Sequence, residues 1–149
     1  MAPKNHNVIV EDYMTIDMVR LNQKHSVLDV ARKMVEQNIS SMALTDDKDN
    51  IVGILTERDI IRVVTNEVPA DGVTASSLMT HPVVSISKES PIEDAARLMA
   101  SQKLRHLMVE DPFNHEIVGI ITLTDLARYL RQNLTREEIA SSDAWELFF

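Results

Sequence analysis

The chain has 149 residues, a formal charge of −8 and no cysteine. The missing thiols exclude disulfides, thiolate metal sites and cysteine nucleophiles together, and the acidic surplus argues against general binding to a phosphate backbone. Hydrophobic residues make up 44% and aromatics only 4%, so Val, Ile, Leu, Ala and Met must fill the core. The N-terminal stretch MAPKNHNVIV lacks the basic flank and long apolar core of a signal peptide, and the longest apolar runs fall far short of the roughly 20 residues that span a bilayer. The expectation is a soluble, cytoplasmic protein with no membrane partner.

The chain repeats itself, and the repeat organises everything that follows. YMTIDMVRL (13–21) aligns with LMTHPVVSI (78–86), and SVLDVARKMVEQNISSMALTD (26–46) with PIEDAARLMASQKLRHLMVED (91–111), at an offset of 65. One extra residue enters at DPFNHE. IVGILTERDIIR (51–62) then meets IVGIITLTDLAR (117–128) at an offset of 66. The boundaries read as repeat one over 10–64, a Pro- and Gly-bearing linker over 65–73, repeat two over 74–131 and a tail over 132–149.

Taken in chain order, each repeat starts with a short strand (Met18–Leu21; Val83–Ile86). A helix follows. Ser26 and Ser90 serve as caps, with Asp29 and Glu93 three residues later and Pro91 at the first helical position. Apolar residues at Val27, Val30, Ala31, Met34 and Val35, and at Ile92, Ala95, Ala96, Met99 and Ala100, form one helical stripe. The strands SMALT and HLMVE come next, then a turn, then IVGIL or IVGII, then a second helix. The order is strand–helix–strand–strand–helix, twice. A unit of about 50 residues is marginal alone, so the expected fold is α+β, two β-α-β-β-α units packed sheet to sheet with pseudo-twofold symmetry.

The stretch GILTERD (53–59) returns as GIITLTD (119–125), using two of only three glycines. Two readings stand. Thr56 with Asp59, and Thr122 with Asp125, make a T-x-x-D capping pattern that needs no ligand. The glycine then relieves crowding beside a neighbour. Alternatively, the helix N-terminus favours an anion, and the aspartate offers two acceptors to the adjacent hydroxyls of a ribose. A cap holds such a carboxylate ready, so the two are compatible.

The doubled unit, the YMT and LMT lead-ins and the two G-h-x-T-x-x-D stretches together resemble a tandem pair of cystathionine β-synthase (CBS) domains, the Bateman module, over about residues 10–131. The resemblance implies a disc-shaped unit with two clefts for AMP, ADP, ATP or S-adenosylmethionine as a regulatory ligand, with no cofactor required. It implies Asp59 and Asp125 as ribose ligands, with Thr56 and Thr122 beside them and Arg58 and Thr124 in the same turns. It also implies base-lining segments: Thr15, Ile16, Asp17 and Met18 with Ser40, Ser41 and Met42 in one half, and Thr80, His81, Pro82 and Val83 with Arg105, His106 and Leu107 in the other. Lys103, Arg105 and His106 replace Asn38, Ser40 and Ser41. By the resemblance Arg105 and His106 contact phosphates, and by residue type alone the basic residues are a solvated, salt-bridged patch.

Other signals are weaker. DDKDNIVGILTE begins and ends like a calcium loop, but Lys48 and Ile51 occupy positions that need a ligand and a glycine. The histidines His6, His25, His81, His106 and His115 show no metal-binding spacing. No nucleophile–base constellation supports catalysis. SVLDVARKMVEQNISSMAL resembles a helix-turn-helix, yet strands follow where a recognition helix belongs, which excludes a DNA reader. In the tail, Thr135 and Glu138 can start a helix, and Trp145, Leu147, Phe148 and Phe149 form an apolar end that either meets a partner or folds back. The expectation is a regulatory module, not an enzyme, that acts as a homodimer and on an effector protein. The rival is a ligand-free interaction module.

Overall fold

A computed structural model describes residues 7–141. The apolar end at Trp145–Phe149 and His6 lie outside the described residues. The chain divides into two compact units, one of Met18–Val84 and the other of the chain up to Asp17 together with the chain from Ser85 onward. These units do not coincide with the sequence repeats, because each repeat's lead-in segment belongs to the unit that carries the other repeat's glycine motif.

The unit of Met18–Val84 contains β1 (Arg20–Asn22), α1 (Val27–Gln37), β2 (Ser41–Thr45), β3 (Ile51–Thr56), α2 (Glu57–Thr65) and α3 (Ala75–Leu78). β1 runs parallel to β2, with Arg20 opposite Ala43, and β2 runs antiparallel to β3, with Ser41 opposite Thr56. The helical stripe seen in the sequence does its work here: Val27, Val30 and Met34 from α1 join Met42, Leu44, Leu55, Val63 and Ala75 in one buried cluster. Ser26 caps α1 by accepting from the Asp29 N–H at 3.0 Å. The stretch between the repeats is not loose. Ala70–Gly72 forms a 3-10 turn, and the Val73 carbonyl accepts from Val27 N–H at 2.8 Å.

The other unit repeats the plan with β4 (Ser85–Ser87), α4 (Ile92–Gln102), β5 (His106–Glu110), β6 (Ile117–Thr122) and α5 (Leu123–Asn133), followed by α6 (Arg136–Ser141). β4 is parallel to β5 and β5 antiparallel to β6. Both sheets have three strands in chain order, and both break register at the same place, after Leu44 and after Val109. Thr135 and Glu138 start α6 by a reciprocal cap: Thr135 N–H donates to Glu138 Oε2 at 2.6 Å, and Glu138 N–H to Thr135 Oγ1 at 3.2 Å.

Two local expectations are corrected. The first strand of each repeat starts two residues later than its apolar pattern suggests, at Arg20 and Ser85, where parallel partners on β2 and β5 begin. In the second repeat the helix starts at Ile92, so Pro91 is the N-cap residue rather than the first helical one, and no side chain caps there. Ser90 instead lends its carbonyl to Val10 N–H at 2.9 Å. The Asp46 carboxylate is absorbed by its hairpin turn, accepting from Lys48 N–H, Asn50 N–H and Asn50 Nδ2, which suits a turn and not a calcium loop. No group of three or more potential metal ligands, and no helix long and apolar enough to cross a membrane, occurs among the described residues.

Candidate functional site

The two glycine motifs build the same local platform. β3 ends at Thr56, still extended at φ −114° and ψ 167°, and α2 begins at the next residue. The first helical N–H, that of Glu57, donates to the Ser40 carbonyl at 3.1 Å. This bond ties the start of β2 to the helix N-terminus. Asp59 turns back one helical turn, and its Oδ2 accepts from Thr56 N–H at 2.8 Å and Thr56 Oγ1 at 3.0 Å. Asp59 is only 8% exposed, so a carboxylate is held in place at the helix start, where the dipole favours its charge. Oδ1 has Arg62 Nη1 at 3.8 Å.

The second copy repeats the bonds of the first and adds an Asp125 N–H bond to Thr122 Oγ1 at 3.4 Å. Leu123 N–H donates to the Arg105 carbonyl at 2.9 Å. Asp125 Oδ2 accepts from Thr122 N–H at 2.9 Å and Thr122 Oγ1 at 3.1 Å, and Arg128 Nη2 reaches Oδ1 at 3.3 Å. In both copies one carboxylate oxygen is used by the cap, and the other keeps acceptor capacity. A fixed, charged acceptor beside a threonine hydroxyl suits a vicinal diol.

A lead-in segment lies against the strand that leads into each platform. Thr80 exchanges main-chain bonds with Ile54 (3.1 and 2.9 Å), and Thr15 with Ile120 (2.8 and 3.0 Å). Thr80, Ser40, Ser41, Thr56 and Asp59 therefore share one unit, and Thr15, Arg105, His106, Thr122 and Asp125 share the other. The glycines explain this pairing. A Cβ on Gly53 would overlap the Met79 sulfur, and one on Gly119 would stand 2.8 Å from the Thr15 carbonyl oxygen. Glycine is required because another segment of chain lies against the strand.

Met42 and Leu107 are fully buried, so their side chains belong to the hydrophobic interior. Strand alternation accounts for this, since Ser41 and His106 point the other way along β2 and β5. Ile16, Asp17, His81 and Pro82 are exposed, Met18 and Val83 are half-buried, and Arg58, Lys103, Arg105 and Thr124 are exposed on the turns around the two aspartates. Sequence reading missed Met14, Met79, Arg62 and Arg128. All four are identities of the repeat, so a signal for them was present: a Met beside each Thr lead-in, and an Arg three residues after each Asp.

A doubled β-α-β-β-α unit, with a capped aspartate at the same helix start in each copy, defines a tandem-repeat domain pair. The CBS domain family matches twice, over residues 10–66 and 75–132, and the chain belongs to that family. It is 31% identical over 121 residues to a Methanopyrus kandleri protein, covering 80% of this chain but 61% of that one. The chain thus spans about three-fifths of the length of that curated relative. A Pyrococcus horikoshii protein of known structure superposes with a TM-score of 0.79 at 30% identity, covering 87% of this chain and 96% of that one. CBSX2, solved in complex with AMP, superposes with a TM-score of 0.70 at 28% identity, covering 83% of this chain and 96% of that one.

Proposed function

We propose that this chain is a regulatory CBS-domain pair that binds an adenosine-containing small molecule, AMP, ADP, ATP or S-adenosylmethionine, and signals by a change of conformation or assembly. The observation that carries this reading is the twice-built platform: a nearly buried, cap-fixed carboxylate with one oxygen still able to accept ribose hydroxyls. AMP in CBSX2 supports the ligand class. The ligand acts by population shift, favouring the state it binds best. A second copy in a homodimer and an effector protein read out the change, with no catalytic step and no nucleic acid or membrane involved.

The platform of Asp125 carries Lys103, Arg105 and His106, and on this reading it prefers phosphorylated adenosines. The platform of Asp59, with Ser40 and Ser41, takes a less charged ligand, with Arg58 as its own phosphate donor. Thermal denaturation against a panel of AMP, ADP, ATP, S-adenosylmethionine, NAD and cyclic dinucleotides tests the function. Ligand at 100 times its dissociation constant adds about 2.7 kcal/mol, which for this size is about 5–11 °C. A flat panel refutes it. Unchanged AMP and ATP affinity in Arg105→Ala removes the phosphate preference alone.

A second reading rests on the caps themselves. Asp59 and Asp125 each commit Oδ2 to a threonine main-chain and hydroxyl pair, which is sufficient reason for the motif in a ligand-free interaction module. The same panel decides between the two.

A further inference from the structure

One platform has a connection that its counterpart lacks. Arg128 Nη2 donates both to Asp125 Oδ1 at 3.3 Å and to the main-chain oxygen of Tyr13 at 3.1 Å. Its guanidinium lies 5.2 Å from the centre of the Tyr13 ring. That ring meets Tyr129 edge-on, with centroids 5.6 Å apart at 77°. The Tyr13 hydroxyl donates to Gln132 Oε1 at 2.8 Å and accepts from Asn133 Nδ2 at 2.7 Å. One residue on, Met14 covers Gly119, and then Thr15 pairs with Ile120. A single arginine therefore joins the candidate ribose carboxylate to the chain segment lying on β6.

The other unit has the arginine without the clamp. Arg62 stands 3.8 Å from Asp59 Oδ1. The residue aligned with Tyr13 is Leu78, which has neither a ring for the guanidinium nor a hydroxyl for α2.

We infer that Arg128 and Tyr13 are positioning residues that couple ligand occupancy at Asp125 to the docking of the N-terminal segment Val10–Thr15. The inference rests on Asp125 being a ligand carboxylate. Asp125 Oδ1 keeps acceptor capacity for a ligand hydroxyl beside the Arg128 N–H. The cap already holds the carboxylate, so a hydroxyl on Oδ1 acts on the half-exposed guanidinium that shares this oxygen, ordering it against the Tyr13 carbonyl. In the reverse direction, the clamped arginine holds the carboxylate ready for the diol. Coupling of this kind is reciprocal by linkage. Arginine suits the task because the two N–H groups of Nη2, held in the guanidinium plane, serve the two acceptors at fixed directions.

The test uses the full chain with Asp59→Asn throughout, which leaves one platform, and AMP, ATP and S-adenosylmethionine as probes. Calorimetry reads affinity, and hydrogen exchange reads the Val10–Thr15 amides with and without ligand. In the parent, saturating ligand slows exchange of that segment about five-fold, the scale of one partly exposed charge-assisted hydrogen bond. Arg128→Met and Tyr13→Leu abolish the ligand-dependent slowing and weaken binding about five-fold, whereas Arg62→Met does neither. Arg128→Lys, which keeps the charge but loses the planar guanidinium and its fixed donor directions, gives the same result should the Met variant fail to fold. Ligand binding with no change in Val10–Thr15 exchange overturns the coupling and leaves the proposed function standing. So does a loss of protection in Tyr13→Leu that is equal in both states with affinity unchanged. If no probe binds the parent, the proposed function fails and the coupling falls with it.

Discussion

Thr15 and Ile120 exchange both of their main-chain hydrogen bonds, at 2.8 and 3.0 Å, directly over Gly119. The contact explains why a glycine-poor chain places a glycine in each motif. It also separates the two sites energetically. At Gly119 the obstacle to a Cβ is the Thr15 carbonyl, main chain pinned by two bonds. At Gly53 the obstacle is the Met79 side chain, which has three rotatable bonds with which to move aside. Gly119→Ala is expected to cost about 2–3 kcal/mol in urea unfolding and Gly53→Ala about 1 kcal/mol, within the usual range for overpacking. Equal losses would show that the Thr15 main chain yields as easily as a methionine.

The capping box and the proposed ligand site share one carboxylate, and substitutions can separate them. Asp125→Asn keeps an oxygen for Thr122 N–H but removes the charge. It is expected to change stability by less than about 1 kcal/mol while weakening nucleotide binding at least about ten-fold. Thr122→Ala removes the hydroxyl that bonds Asp125 at 3.1 Å. It is expected to cost about 1 kcal/mol of stability. Urea unfolding and calorimetry on the two variants check the pair. If Asp125→Asn left binding intact, the motif would be a cap and nothing more.

How far the sequence could be read follows from what each feature depends on. The helices of 27–37 and 92–102 and the strands of 41–45 and 106–110 were legible because their apolar spacing is local and period-specific. The aspartates were legible because T-x-x-D and its duplication survive in one dimension. The pairing of Thr15 with Ile120 was not, since nothing in a linear repeat says which copy a lead-in segment lies against. The full burial of Met42 and Leu107 was not legible either. Family resemblance carries over positions, whereas strand alternation decides which side chain at those positions faces the interior.

Lys103 ends α4 in the left-handed region, at φ 54° and ψ 43°, where Asn38 ends α1 at φ 53° and ψ 50°. Asparagine tolerates that conformation, and lysine gains nothing from it. Lys103→Gly is therefore expected to stabilise the chain by up to about 1 kcal/mol. If the lysine is retained for its charge, the same substitution weakens ATP binding about three- to ten-fold and leaves adenosine binding unchanged. Thermal unfolding and calorimetry read the two effects separately. A variant that is both less stable and equally avid for ATP would refute both halves of the argument.

Tyr129 supplies the pH test. Burial, and then the hydrogen bond its hydroxyl donates to Glu93 Oε1 at 2.9 Å, push its pKa up from 10.0 to about 12. The folded state therefore holds the phenolic proton more tightly than the unfolded chain does. The stabilisation from this group is full below pH 10 and is lost as pH rises toward 12, because the unfolded state releases the proton first. Tyr129→Phe lacks the hydrogen bond and the titration, so it is expected to be less stable at neutral pH and to lose less stability across the alkaline window. The same ring packs edge-on against Tyr13, so the alkaline transition should also release the Val10–Thr15 segment in the parent chain. Urea unfolding of the two proteins at pH 8 and pH 11 compares the slopes. Parallel pH profiles would mean that the Tyr129 hydroxyl is solvated and its bond to Glu93 adds nothing to the fold.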